Sequence, residues 1–155
     1  MNVNAAAQWM EGRKAAMIAN YETLGLKASG AWAQSLNYTV EQTSTGLKLV
    51  MKGAKHTGIM TDGRKPNSDQ SPEKLKAWVG WAGSTIIADW CKAKGITASP
   101  YAIAYKVARE GIKVPNQHND GSLLTGIITD ETVKELLNML KIGIASDIKE
   151  NFKKV

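Results

Sequence analysis

The chain has 155 residues and 16.8 kDa, with 43% hydrophobic and 22% charged residues, so it is long enough for one apolar core and too weakly charged for global disorder. Twenty basic against fourteen acidic residues give a formal charge of +6, which fits an anionic partner and equally fits a solvated cationic face. Cys91 is the single cysteine, so an internal disulfide is excluded, a reducing compartment is expected, and any zinc site would need carboxylates beside His56 and His118.

The first residues carry no cationic leader ahead of an apolar block, and no run approaches the roughly 18 apolar residues that span a bilayer. A soluble chain is expected. Over 4–24 the residues Ala6, Trp9, Met10, Arg13, Met17, Tyr21 and Leu24 recur at helical spacing, and Gly25 supplies the stop. Ser29 is placed to cap a short second helix, "SGAWAQSL", with Trp32 and Leu36 four apart on one face.

Next, "NYTVEQTSTGLKLVMKG" alternates Tyr38 and Val40, turns through Ser44 and Gly46, then alternates Leu47, Leu49 and Met51, the period of a half-buried hairpin. Continued extended chain is expected over 54–60, and with the turn at Asp62-Gly63 it predicts an extended arm over about 54–71. Pro66 biases Lys65 toward extended geometry, and Ser71-Pro72 reads as a helix cap and first residue.

From Pro72 the stripe Leu75, Trp78, Val79 and Ala82 is expected to face inward, Gly80 and Gly83 weaken it, and Ile86, Ile87, Trp90 and Cys91 resume it. One bent helix or two pieces follow. Ser99-Pro100 repeats the cap, and Tyr101, Ile103, Ala104, Val107 and Ala108 line a helix that Gly111 closes. "KVPNQHNDGSLLTG" reads as loop, after which Thr129 or Asp130 caps a helix over about 130–152, made amphipathic by Leu136, Leu137, Leu140, Ile144 and Ile148. The expected architecture is a single α+β domain over 1–155: a small antiparallel sheet of hairpin plus arm, several helices and a long C-terminal one.

Chemistry is sparse in the sequence. No Gly-rich phosphate loop ends in Gly-Lys-Ser/Thr, no His-x-x-x-His pair occurs, and both histidines read as surface residues, so neither catalytic residues nor a cofactor or metal is expected. Glu11, Glu22 and Glu41 are candidate hydrolase carboxylates that nothing in the sequence brings together. Trp9, Trp32, Trp78 and Trp90 fall on apolar faces and are expected in the core, whereas Trp81 lies off the stripe and is a candidate partner contact. The segment 48–65 carries Lys48, Lys52, Lys55, Arg64 and Lys65 against Asp62 alone, without the interleaved aromatics of nucleic-acid readout.

The ordered pieces "SGAWAQSL", a hairpin, "GRKP", "LKAWV", "CKAKGI" and "YAIAYKVAREGI" resemble the tail-completion (neck) proteins of tailed bacteriophages over roughly residues 29–112. The stretch "VGWAGSTIIADW" is longer than that pattern, and the C-terminal loop is unusual. The resemblance implies a non-enzymatic virion subunit, assembled in the host cytoplasm, that forms a homo-oligomeric ring at the neck between portal or adaptor proteins and the tail. It also implies that Lys55, Gly58, Gly63, Arg64, Lys65, Pro66 and Trp81 meet a neighbouring subunit or the packaged DNA. A small basic nucleic-acid-binding protein is the alternative that the charge allows.

Overall fold

The structure, a computed structural model, describes residues 3–152, with the side chains of 146–148 and 150–152 outside the described residues; Ile148, expected on the last helix's apolar stripe, is among these. Helix α1 (Val3–Thr23) is followed by α2 (Ala31–Ser35), strands β1 (Asn37–Gln42) and β2 (Leu47–Lys52), and α3 (Thr57–Asp62). Then come α4 (Pro72–Ser84), α5 (Ile86–Lys94), α6 (Pro100–Glu110), a 3₁₀ turn at Ser122–Leu124, and α7 (Asp130–Phe152). The fold is α+β, as the sequence predicts.

The hairpin forms in the expected register, with Tyr38 opposite Met51 and Val40 opposite Leu49. Thr43 closes its loop, because both its N–H and its hydroxyl reach the Gly46 carbonyl. The sheet has only these two strands among the described residues, so the expected arm does not extend it. Residues 57–62 within that arm are instead helix α3, and 54–56 and 63–71 run without helix. The reason is tertiary: the Trp32 indole N–H donates to Thr57 Oγ1 at 2.9 Å, and that hydroxyl donates to the Ala54 carbonyl at 2.6 Å, which pins the first turn of α3.

Met17, Tyr21, Trp32, Leu36, Leu123 and Ile127 form the main core, with Met51, Ala54 and Met60 packed against it. Tyr21 and Trp32 meet at 4.5 Å between ring centroids, tilted by 35°, a favourable offset for two quadrupoles. Two of these core residues lie in or next to the segment read as loop: Leu123 is fully buried in the 3₁₀ turn and Ile127 directly follows the segment. Asn20 holds that segment on α1 by donating to the carbonyls of Leu123 and Thr125, both at 3.1 Å.

Helices α4, α5 and α6 pack mainly on one another. The break between α4 and α5 sits at Thr85, where the Ser84 and Thr85 hydroxyls return to the carbonyls of Gly80 and Trp81, both at 2.7 Å. Gly83 is a packing residue and not a helix breaker, since a Cβ there would lie 2.6 Å from the Tyr101 ring. Of the expected inner stripe, Leu75, Ala82 and Cys91 are buried, while Trp78 and Val79 are half-buried and Ile86 and Trp90 are exposed.

Helix α7 packs on α1, with the Trp9 indole donating to the Thr132 carbonyl at 2.7 Å and Arg13 pairing with Glu135 at 3.4 Å. These anchors turn the helix so that Thr132, Leu136, Met139 and Gly143 are sheltered and Leu137 and Ile144, expected beside Leu136, are exposed. Thr129 is its cap: the Thr129 hydroxyl accepts the Thr132 N–H and the Thr132 hydroxyl accepts the Thr129 N–H. Among the described residues no helix is long and apolar enough to cross a membrane.

The burial pattern predicts unequal roles for the tryptophans. Trp32→Ala should lower the unfolding free energy by about 3–5 kcal/mol in a urea titration, whereas Trp90→Ala should cost under about 1 kcal/mol. Comparable losses would contradict this division between core and surface.

Candidate functional site

Gly63, Arg64, Lys65 and Pro66 are brought together on the C-terminal end of α6. Arg64 and Ile112 exchange two backbone hydrogen bonds at 2.8 and 2.7 Å, a single antiparallel bridge between the strap over 63–70 and the residues that follow α6. Each side of the bridge needs a glycine. A Cβ on Gly63 would lie 2.1 Å from the Ile112 carbonyl oxygen, and one on Gly111 would lie 2.1 Å from that of Arg64. Both glycines also have positive φ, +80° and +76°, which L side chains rarely adopt.

The last carbonyls of a helix have no partner inside it, and they carry the negative end of its dipole. The strap supplies those partners. The Arg64 guanidinium donates to the Val107 carbonyl at 3.1 Å, the Asn67 N–H donates to that of Ala108 at 2.8 Å, and the Gln70 amide reaches the same oxygen at 3.0 Å. Asn67 Oδ1 accepts a second Arg64 hydrogen bond at 2.6 Å, and the guanidinium lies 4.7 Å from the centroid of the Trp78 ring. Arg64 therefore clamps α4 and α6 together.

Arg64, expected to meet a neighbour or DNA, directs its guanidinium to the Val107 carbonyl, Asn67 Oδ1 and the Trp78 ring within its own chain. Lys65 and Pro66 beside it are exposed. Lys55 and Gly58 are also exposed, but they sit at the start of α3, away from the clamp in the chain path, and Trp81 stands two turns along α4 at 55% exposure. The basic segment likewise divides: Lys48 pairs with Glu41 across the hairpin at 3.7 Å, Lys52 ends β2, and Arg64 belongs to the clamp.

The candidate hydrolase carboxylates do not converge. Glu11 pairs with Lys14, Glu22 with Lys27 and Glu41 with Lys48, on α1 and β1. His56 and His118 are exposed, Cys91 is buried, and no three His, Cys, Asp or Glu among the described residues are grouped as metal ligands would be.

What the structure adds is a set of large side chains exposed on α4, α5 and α6: Trp81, Ile86, Trp90, Tyr101 and Tyr105. Ile86 and Trp90 border a cleft with Tyr21, Trp32 and Met60, whereas Tyr101 and Tyr105 line a groove of about 520 Å³ between α4 and α6, with Leu75, Val79, Lys76 and Arg109. Helical periodicity alone assigned Tyr101, Ile86 and Trp90 inward; the signal that they face outward is the small-residue stripe Ala82, Gly83, Ala104 and Ala108, which lets the helices approach closely and leaves the large side chains outside. No family model matches the chain, and neither the curated proteins nor the solved structures contain a significant match.

Two outcomes follow from the clamp. Arg64→Ala should lower stability by about 2–3 kcal/mol through the lost charge-assisted bonds and ring contact, and Arg64→Lys should recover only part of it, while Lys65→Ala stays within about 0.5 kcal/mol. Equal effects at the two positions, measured by chemical denaturation, would contradict the assignment. Asp69 caps the strap by accepting the Ser71 N–H at 2.9 Å, and this bond, then the Ser71 hydroxyl, holds its pKa below the ordinary carboxylate value. A lowered folded pKa stabilises above the unfolded value of about 4 and is lost as pH falls through the folded one. The stability gap between the wild type and Asp69→Asn should therefore be constant from neutral pH to about pH 5 and shrink below about pH 4. A gap that widens on acidification would show the opposite shift.

Proposed function

We propose that this chain is a non-enzymatic structural subunit that works inside an oligomer, and that the oligomer is a ring at the neck of a tailed-bacteriophage virion, joining portal-side proteins to the tail. The observation that carries the assembly reading is the exposure of five large residues on α4, α5 and α6: Trp81, Ile86, Trp90, Tyr101 and Tyr105. Scattered exposed apolar residues are ordinary, but a set on three consecutive helices loses about 25 cal/mol for each Å² it leaves in water, and aromatics of this kind are enriched in the cores of protein interfaces.

Support for the neck assignment is the order of Gly63-Arg64-Lys65-Pro66, Trp78, Lys94-Gly95-Ile96 and the run from Ala102-Ile103-Ala104 to Gly111-Ile112, on which the resemblance rests. The clamp gives that order a physical reason: two glycines that let two backbones touch, an arginine that caps a helix end, and a tryptophan beneath the guanidinium. These residues build the subunit, and the large side chains exposed on α4, α5 and α6 are available to meet others.

The mass of the purified chain, alone and mixed with portal-side and tail proteins, tests the reading. Ring-sized assemblies are expected, and Trp81→Ser should weaken them at least about tenfold with the melting temperature unchanged. A chain that stays monomeric in both settings while binding DNA with a steep salt dependence would overturn the proposal in favour of a nucleic-acid-binding protein.

A further inference from the structure

We propose that the groove between α4 and α6 of one copy receives the edge spanning residues 124–133 of a second copy, so that copies join head to tail. This rests on the assembly reading above and adds the two surfaces that meet.

The groove is aromatic and cationic. Tyr101 and Tyr105 line it with Leu75 and Val79, Lys76 and Arg109 supply the charge, and no acidic residue is in its lining. Arg109 lies 5.9 Å from the Tyr105 ring centroid, which holds the guanidinium beside the groove, and among the described residues neither Lys76 nor Arg109 is within ion-pair distance of a carboxylate. Over 64–113 the sequence has nine cations against four acids.

The segment before and at the start of α7 is aliphatic and anionic in sequence, and Leu124 and Ile128 border a cleft that Arg13 and Lys52 also line. Residues 114–133 contain no lysine or arginine and three acids, Asp120, Asp130 and Glu131, in a chain whose formal charge is +6. Leu124 and Ile128 are exposed there, Ile128 at 63%, next to Asp130 and Glu131, which are also exposed. Their chain neighbours Leu123 and Ile127 are anchored in the core, so this edge is held rigidly and little freedom is lost when it docks.

Ile128 and Leu124 would fill the aromatic groove while Asp130 and Glu131 meet Lys76 and Arg109. The two surfaces belong to different parts of the fold, since the 3₁₀ turn and α7 pack on α1 whereas the groove lies between α4 and α6. A contact between unlike surfaces is heterologous and propagates into a ring or a filament.

Charge exchange tests the pairing. Lys76→Glu with Arg109→Glu in one variant, and Asp130→Lys with Glu131→Lys in another, should each weaken assembly at least about tenfold while circular dichroism shows a folded chain, with a modestly lowered melting temperature in the second because its cations stand at the start of α7. Mixing the two variants should restore assembly, because each reversed groove then faces a reversed edge. Ile128→Asp, which leaves the groove untouched, should also prevent assembly. Wild-type assembly that survives the reversals would overturn this inference alone, as would loss of assembly that mixing fails to restore, which would assign the groove to an acidic segment of another protein. A wild type that is monomeric alone and with its neck neighbours would overturn the assembly reading beneath it.

Discussion

The two-bond bridge between Arg64 and Ile112 is the constraint on which the second half of the molecule depends. Backbones can come this close only because Gly63 and Gly111 have no Cβ, and the contact in turn places the Arg64 guanidinium on the Val107 carbonyl and over Trp78. A helix end that would otherwise leave carbonyls unpaired is thereby closed by a segment more than forty residues earlier in the chain. Without that closure, α4 and α6 would still have their small-residue contact, but the strap and the start of α4 would lose their fixed direction.

The molecule divides its apolar residues accordingly. Around α1, the hairpin and the 3₁₀ turn, large side chains point inward, and Trp32, Tyr21 and Leu123 fill a continuous core. In α4, α5 and α6 the close approach is made by Ala82, Gly83, Ala104 and Ala108, so the large residues are displaced to the outside. Small residues inside and aromatics outside leave apolar area in water, which is costly for an isolated chain.

Charge follows a similar division. The cations that cluster in the sequence over 48–65 are spent on different tasks, one in a cross-strand pair with Glu41 and one on a helix end. Lys76 of α4 and Arg109 of α6 instead border an aromatic groove, and residues 114–129 before α7 carry no lysine or arginine. The net charge of +6 is therefore unevenly distributed along the chain.

By itself the sequence determined the local features: helix α1 from its periodicity, the hairpin from its alternation, the starts of α4 and α6 from Ser-Pro pairs, and the end of α6 from Gly111. These depend on neighbours within a few residues, where spacing and turn chemistry are sufficient. Only the tertiary structure decided that residues 57–62 coil into a helix under Trp32, that Leu123 and Ile127, in and next to an apparent loop, complete the core, and which face of α7 turns to α1. It also decided that Arg64 faces inward and Tyr101 outward. Each of these outcomes rests on a partner many residues distant, and a periodic apolar pattern marks a face without stating what will cover it.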